Sequence, residues 1–241
     1  MRFVIGDIHG EISKLKALIG FIETIDPERT LIFIGDYINK GENSKSTLDY
    51  LSNLKSSIFL MGNHEYYYLE FLKNKSYQHE ILKYGEGSTF LDFNMTIPTI
   101  LKKLYLPYKN FFDHLLPYYE TEKYFISHAG INPIYLTEDL RTIPHECFLN
   151  NRYNFIRLSE KINDKTFIFG HTGFAYPYVD SVKIGIDTAA VYDQSNPLTA
   201  YCIEDEFFIN SFNERKRLVD YSTNSCPIII RKNPYRDSKN V

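Results

Sequence analysis

Arg2-Phe3-Val4-Ile5-Gly6-Asp7-Ile8-His9-Gly10 sets a short apolar run directly against a loop with two metal-ligating side chains. The design recurs. Thr30-Leu31-Ile32-Phe33-Ile34 leads into Gly35-Asp36-Tyr37-Ile38-Asn39-Lys40-Gly41, and Ser57-Ile58-Phe59-Leu60 precedes Gly62-Asn63-His64-Glu65. Thr166-Phe167-Ile168-Phe169 precedes Gly170-His171-Thr172, and His128-Ala129-Gly130 closes Tyr124-Phe125-Ile126-Ser127. Such apolar runs, bounded by turn residues, read as buried strands. In an α/β sheet, loops at the carboxyl ends of strands converge on one crevice. Asp7, His9, Asp36, Asn63, His128 and His171 are therefore expected to meet. Two Asp, one Asn and three His suit a pair of divalent transition metals. One carboxylate of the set can bridge two ions, as two-metal hydrolytic sites need.

Between these loops the periodicity changes. Ile12, Leu15, Leu18, Ile19, Ile22 and Ile25 fall at helical spacing, and Asp26-Pro27 ends that helix. Leu48, Leu51 and Leu54 form a second helical stripe. This βαβα order predicts a mainly parallel first sheet. Residues 66–118 read as a helical insertion beside the site mouth, broken at Gly85-Glu86-Gly87 and punctuated by Pro98, Pro107 and Pro117. Phe155, Ile156 and Leu158 suggest a short helix. Val182–Ile186, Leu198–Ile203 and Phe207–Phe212 read as strands of a second, mostly antiparallel sheet, with a hairpin turn at Asp205-Glu206. The polar tail 231–241 is expected to fray. The whole chain, 1–241, reads as one domain.

Composition narrows the class. Hydrophobic residues make up 44% of the 241, and 20 Tyr and 18 Phe supply ample core without disulfides. Cys147, Cys202 and Cys226 are too scattered for a disulfide framework or a CxxC site. A formal charge of −3 gives no global pull toward nucleic acid or anionic membrane, so neither is an expected partner. The first strand begins at Arg2, which leaves no room for a signal peptide, and a cytoplasmic protein is expected.

The motifs GDIHG, GDYINKG, GNHE, HAG and GHT, in this order, resemble the calcineurin-like metallophosphoesterases. Within them they look like the phosphoprotein phosphatase branch, which includes bacterial and phage phosphatases and symmetrical diadenosine tetraphosphate hydrolases. The family patterns read GDxHG, GDxxDRG, GNHE, HAG and GHT. Asn39 stands where the family has Asp, and Lys40 where it has Arg.

The resemblance implies a four-layer α/β/β/α sandwich. It implies that Asp7, His9 and Asp36 hold one metal, and Asp36, Asn63, His128 and His171 the other. Manganese is the first candidate, with iron, zinc, nickel and cobalt behind it. Two such ions share a water and lower its pKa enough to give hydroxide for in-line attack on phosphorus. His64 falls at the general-acid position, and Asn39 takes the place of the Asp that charges and orients it. Glu65 is the candidate carboxylate to replace that Asp. Lys40 and Arg152 are the phosphate clamps, Arg152 from Phe148-Leu149-Asn150-Asn151-Arg152-Tyr153, where Asn150 replaces a usual Trp; Arg157 is the reserve. Asp187-Thr188-Ala189 resembles a late DTG element near the site, with Ala189 for Gly. Tyr66, Tyr67 and Tyr68 are assigned to helical packing rather than to the mouth.

The expected activity is that of a metal-dependent phosphoric ester hydrolase of the serine/threonine protein phosphatase type, acting on a phosphorylated protein or a small phosphoester. Two alternatives stand beside it. One is a symmetrical bis(5'-nucleosyl)-tetraphosphatase, whose nucleotide leaving group needs less help from an acid. The other is a metal- and phosphate-binding paralogue without turnover.

Overall fold

Strand order follows from where the apolar runs can bury both faces. The computed structural model describes residues 1–85 and 87–221. Along the chain its strands are β1 (Arg2–Ile5), β2 (Thr30–Phe33), β3 (Ser57–Phe59), β4 (Tyr118–Glu120), β5 (Tyr124–Ser127) and β6 (Thr166–Phe169). Next come β7 (Tyr178–Val179), β8 (Lys183–Gly185), β9 (Thr199–Cys202), β10 (Phe207–Asn210) and β11 (Arg215–Arg217). The α-helices are α1 (Ile12–Ile25), α2 (Ser44–Leu51), α3 (Asn63–Asn74), α4 (Gln78–Gly85), α5 (Thr89–Asp92), α6 (Lys109–Asp113) and α7 (Tyr153–Ile156).

Two sheets face each other. The six-stranded sheet runs β11-β10-β9-β1-β2-β3, and the five-stranded sheet runs β4-β5-β6-β8-β7. Alternate residues of each strand enter different cores, as the two-residue period of a strand requires. Phe3, Ile5, Leu31 and Phe33 pack on Leu15, Leu18 and Ile22 of α1 and on Leu48 and Leu51 of α2. Val4, Ile32 and Tyr201 turn the other way and meet Ile126, Ile168 and Ile184 between the sheets. Phe125, Phe167 and Phe169 leave the far face and pack on Phe148 and Phe155. Each such fully buried side chain contributes about 1.5–3 kcal/mol. The layers are thus helix, sheet, sheet and an outer layer. Short 3-10 turns make up most of that outer layer, with α7 the one α-helix between residues 131 and 162. Pro133 opens one of these turns and Pro144 caps another, start positions where proline's missing N–H costs nothing.

The first sheet begins parallel as expected, with β1 pairing β2 and β2 pairing β3. The placement of the later strands is a correction. β8 lies parallel to β6 in the second sheet, but β9 crosses over and pairs antiparallel with β1, with Val4 opposite Tyr201. β10 follows β9 by the expected hairpin. The second sheet therefore keeps a parallel centre, β5-β6-β8, flanked by antiparallel β4 and β7. Apolar alternation shows that a strand is buried, but pairing depends on which face accepts Tyr201, and that is a tertiary matter. Helices α3 to α6 and a π-helical turn at Leu101–Tyr105 occupy most of residues 63–113. Cys226 and the tail 231–241 lie outside the described residues. No helix among the described residues is long and apolar enough to cross a membrane.

Candidate metal centre and active site

The loop after β1 and the loop after β2 are joined through their backbones. The Ile8 and His9 amides both donate to the Asp36 carbonyl, at 3.1 and 2.8 Å, and Gly10 N–H donates to Tyr37 O at 2.9 Å. The loop after β3 closes on the same point. A Cβ on Gly62 would strike the Asp36 amide and side chain, so only glycine allows this approach. Glu65, fully buried at the start of α3, accepts backbone N–H bonds from Asp36 at 2.9 Å, Tyr37 at 2.9 Å and Ile38 at 3.3 Å. His9, Asp36, Asn39, Lys40 and His171 all have φ between 48 and 70°. Such left-handed backbone costs a non-glycine residue about 1–3 kcal/mol, and it gathers at functional sites.

The expected residues come together. The His9 Nε2 atom lies 3.2 Å from Asp36 Oδ2, and His128 Nε2 lies 3.5 Å from Asp36 Oδ1. Asn63 Oδ1 is 2.9 Å from His128 Nε2 and 3.0 Å from His171 Nδ1. Asp7 accepts the His171 amide at 3.1 Å. The outer nitrogens of two rings are already spoken for: His9 Nδ1 sits 2.9 Å from Ile38 O, and His128 Nδ1 sits 3.0 Å from Ile34 O. That fixes which nitrogen each ring turns inward. His9, Asp36 and His64 offer ligand atoms within 4.8 Å of one another, and so do Asp36, His128 and His171.

The donor set fits divalent cations. Burial raises the Asp7 carboxyl well above its usual range, and the neighbouring Asp187 and Asp36 charges push the same way. Burial also opposes ionisation of Asp36, but His128, His64 and His9 outweigh it and hold that carboxyl well below the usual range. Burial drives His128 and His171 down toward the neutral form that metals require. Asp7, Asp36 and Asp187 thus crowd into a buried place among imidazoles, where Lys40 and Arg152 bring the nearby positive charge.

A profile described as Calcineurin-like phosphoesterase matches residues 3–203. The chain belongs to this family. It is 27% identical over 121 residues to a symmetrical bis(5'-nucleosyl)-tetraphosphatase of Coxiella burnetii (strain RSA 331 / Henzerling II), covering 44% of this chain and 42% of that protein. A protein of the same name from Neisseria gonorrhoeae (strain NCCP11945) is 32% identical over 109 residues, covering 42% and 40%. The matches thus span less than half the length of these relatives. Among solved structures, a putative diadenosine tetraphosphatase superposes with a TM-score of 0.61 at 18% identity, covering 87% of this chain and 91% of that one. A cold-active protein tyrosine phosphatase superposes with a TM-score of 0.67 at 13% identity, covering 89% and 77%.

The departures from the family pattern take up specific places. Asn39 is buried and donates from Nδ2 to His64 Nδ1 at 2.8 Å, while its Oδ1 accepts the Tyr68 hydroxyl at 3.0 Å. His64 therefore carries its proton on Nε2, 3.8 Å from Asp36 Oδ2. Glu65 does not replace the missing Asp, because both its oxygens serve the 36–38 backbone. Lys40 Nζ lies 2.6 Å from His9 Nε2 and 5.5 Å from the Tyr192 ring centre. Arg152 is exposed at the start of α7, yet its charge reaches His171. Arg157 is exposed at the other end of α7. Ala189 adopts the left-handed φ of 57° that the family glycine favours, and its amide donates to Asp187 Oδ1 at 2.8 Å.

Sequence reasoning missed Lys14 and Tyr84 and the contacts that Asn150, Tyr67 and Tyr68 make around this centre. Lys14 on α1 is buried and donates to the carbonyls of Ala190 at 2.5 Å, Asp193 at 2.9 Å and Asn196 at 2.9 Å, which pins the loop carrying Asp187 and Tyr192. Asn150 accepts the Tyr67 hydroxyl at 2.9 Å, so α3 is tied to the segment bearing Arg152. Tyr68 fixes Asn39, and the ring of Tyr84 lies against His64. Tyr67 and Tyr68 were assigned to packing, and they do pack. Their positions three and four residues after His64, on the same helix face, are the sequence signal that they also reach the site.

Proposed function

We propose that this chain is a metal-dependent phosphomonoester hydrolase of the protein phosphatase kind, acting on a phosphorylated protein or a small phosphoester. One observation carries the reading: Asp36 stands within 3.8 Å of three imidazole nitrogens, from His9, His64 and His128, at the meeting point of separate strand-end loops. Asp7, His9, Asp36, Asn63, His128 and His171 would hold two divalent transition metal ions, manganese foremost. Bound there, the ions supply Lewis acidity toward a phosphoryl group and toward water.

The chain's own residues do the rest. Glu65 fixes the Asp36 loop by collecting its backbone N–H groups. Lys40 brings a positive charge beside Asp36 and Asp7 and meets a phosphate oxygen as a point charge. Arg152, the more exposed cation, meets the substrate from the solvent side. His64 offers its Nε2–H to the leaving oxygen, with Asn39 accepting none of its charge. An imidazole supported by a neutral amide is a weaker donor than one supported by a carboxylate.

That last feature favours a second reading. A symmetrical dinucleoside tetraphosphatase, the name borne by the Coxiella and Neisseria relatives, expels a nucleotide that needs little protonation. Manganese-loaded protein assayed in parallel on phosphopeptides and diadenosine tetraphosphate decides between them. Faster cleavage of phosphopeptide supports the monoesterase, and symmetrical release of two nucleoside diphosphates supports the alternative. Turnover of neither substrate, nor of para-nitrophenyl phosphate, leaves a binding protein without catalysis.

A further inference from the structure

We propose that Tyr67 and Tyr84 form a stacking wall for an aromatic leaving group bonded directly to the phosphate oxygen, so that aryl phosphate monoesters are preferred substrates. This rests on the phosphomonoesterase reading above and narrows it.

The Tyr84 ring centre lies 5.1 Å from the His64 ring, and the Tyr67 ring centre lies 6.2 Å from it. The two tyrosines are near-parallel, 17° apart in plane and 6.5 Å between centres. Tyr77 continues the series outward, stacked on Tyr67 at 5.2 Å and 22°. Rings therefore run from the proton donor toward the surface. His64 and Tyr67 are buried, whereas Tyr84 and Tyr77 are half-buried, and the Lys83 ammonium lies 4.8 Å from the Tyr84 ring centre.

The wall is braced at its polar ends. Tyr67 donates to Asn150 at 2.9 Å and Tyr66 donates to Glu146 at 2.8 Å, both in the segment just before Arg152. A group leaving past His64 meets Tyr84 first. An alkyl side chain gains little there, while a planar ring gains an aromatic pair. An aryl ring begins one bond from the leaving oxygen, where His64 and Tyr84 stand. A nucleobase begins only beyond a whole ribose and would miss that first contact. The reaction balances without another reagent. The oxygen of water forms the new bond to phosphorus as the bond to the aryl oxygen breaks; one proton of water ends on the phenol and the other stays on phosphate.

The test uses full-length, metal-loaded protein. Calorimetry compares benzylphosphonate with ethylphosphonate on the native chain, Tyr84→Leu and Tyr84→Phe, and turnover compares phenyl phosphate with phosphoserine and adenosine 5'-monophosphate. The native chain should prefer the benzyl ligand. Tyr84→Leu should cut that preference about three- to tenfold, the value of one aromatic pair, and Tyr84→Phe should keep it. Phenyl phosphate should be the fastest of the three esters. No benzyl preference in the native chain, a preference untouched by Tyr84→Leu, or faster turnover of the nucleotide would overturn the proposal. Since phosphonate binding needs no turnover, a retained benzyl preference in a protein that cleaves no ester would support the wall and break the hydrolase reading alone.

Discussion

Asp7, His9 and Asp36 reach the crevice on loops whose backbones are bonded to each other, whereas His64 and its neighbours arrive on a helix and are placed by side chains. On the cradle side, the Asp36 carbonyl takes the Ile8 and His9 amides, and Glu65 takes three more from residues 36–38. On the leaving-group side, a chain of side chains runs from Tyr68 to Asn39 to His64, with Tyr84 and Tyr67 packed around the ring. The first region keeps the Asp7, His9 and Asp36 of the family pattern, with Lys40 reaching His9, whereas Asn39 and Asn150, both departures from the pattern, sit among the side chains around His64 and Tyr67. Backbone-bonded loops tolerate little change in geometry, because each amide has one partner and loses it if the loop shifts. Side-chain networks can exchange one member for another of similar size and retune the chemistry.

The sharpest way to break this contrast is at Asp36. Asp36→Asn removes a charge that the cradle places beside three imidazoles. Metal content, read by elemental analysis, and hydrolysis should fall together, hydrolysis by more than about a hundredfold, since even outer partners of metal ligands cost about 10- to 100-fold. A variant that keeps its metal and its rate would show that the cradle does not depend on its central carboxylate.

Asn39→Asp probes the other region. It supplies the carboxylate that Glu65 cannot, and so favours the charged His64 ring. Rates on an alkyl phosphate should rise about tenfold relative to the parent, a part of the roughly 10²–10⁴-fold that general acid catalysis supplies. Rates on para-nitrophenyl phosphate, whose leaving group departs as an anion, should change little. Equal gains on both substrates would remove His64 from the leaving-group role.

Tyr68→Phe tests whether Asn39 is held by its own partner. It strands Asn39 Oδ1 in a buried place, which costs about 1–3 kcal/mol and lowers the melting temperature. It also frees the amide to turn its oxygen toward His64, so the ring proton should redistribute between Nδ1 and Nε2 in a nitrogen NMR spectrum. An unchanged spectrum would mean that packing alone orients Asn39. Gly85 belongs to the same arrangement, because a Cβ there would strike the Tyr68 hydroxyl.

Lys40→Arg carries the smallest expected effect. A fork binds two phosphate oxygens where an ammonium binds one, so inhibition by inorganic phosphate should tighten about two- to threefold. Weaker inhibition would place Lys40 with the cradle, where its Nζ already touches His9, rather than with the substrate.

The strand-end loops were legible because their chemistry and their position coincide. An apolar run of four or five residues followed by Gly-Asp or Gly-Asn-His states both that a buried strand ends and that the polar residue after it faces the crevice. The helices α1 and α2 were legible for a similar reason, as their stripes repeat at a fixed local period. The pairing of β9 with β1 was not, because burial on both faces leaves the neighbour undetermined. Nor were Lys14 and Asn150, whose partners lie far along the chain: 176 to 182 residues away for Lys14 and 83 for Asn150.

By itself, then, the sequence determined the strand-end residues that are brought together, the family and the two departures at Asn39 and Lys40, since each depends on residue type and local spacing. Only the tertiary structure decided that Glu65 serves the backbone rather than His64, that Tyr68 turns Asn39 into a donor, and that tyrosines surround the ring. Those outcomes depend on which of several possible hydrogen bonds and ring contacts survive when distant segments are packed together, and no local pattern encodes that competition.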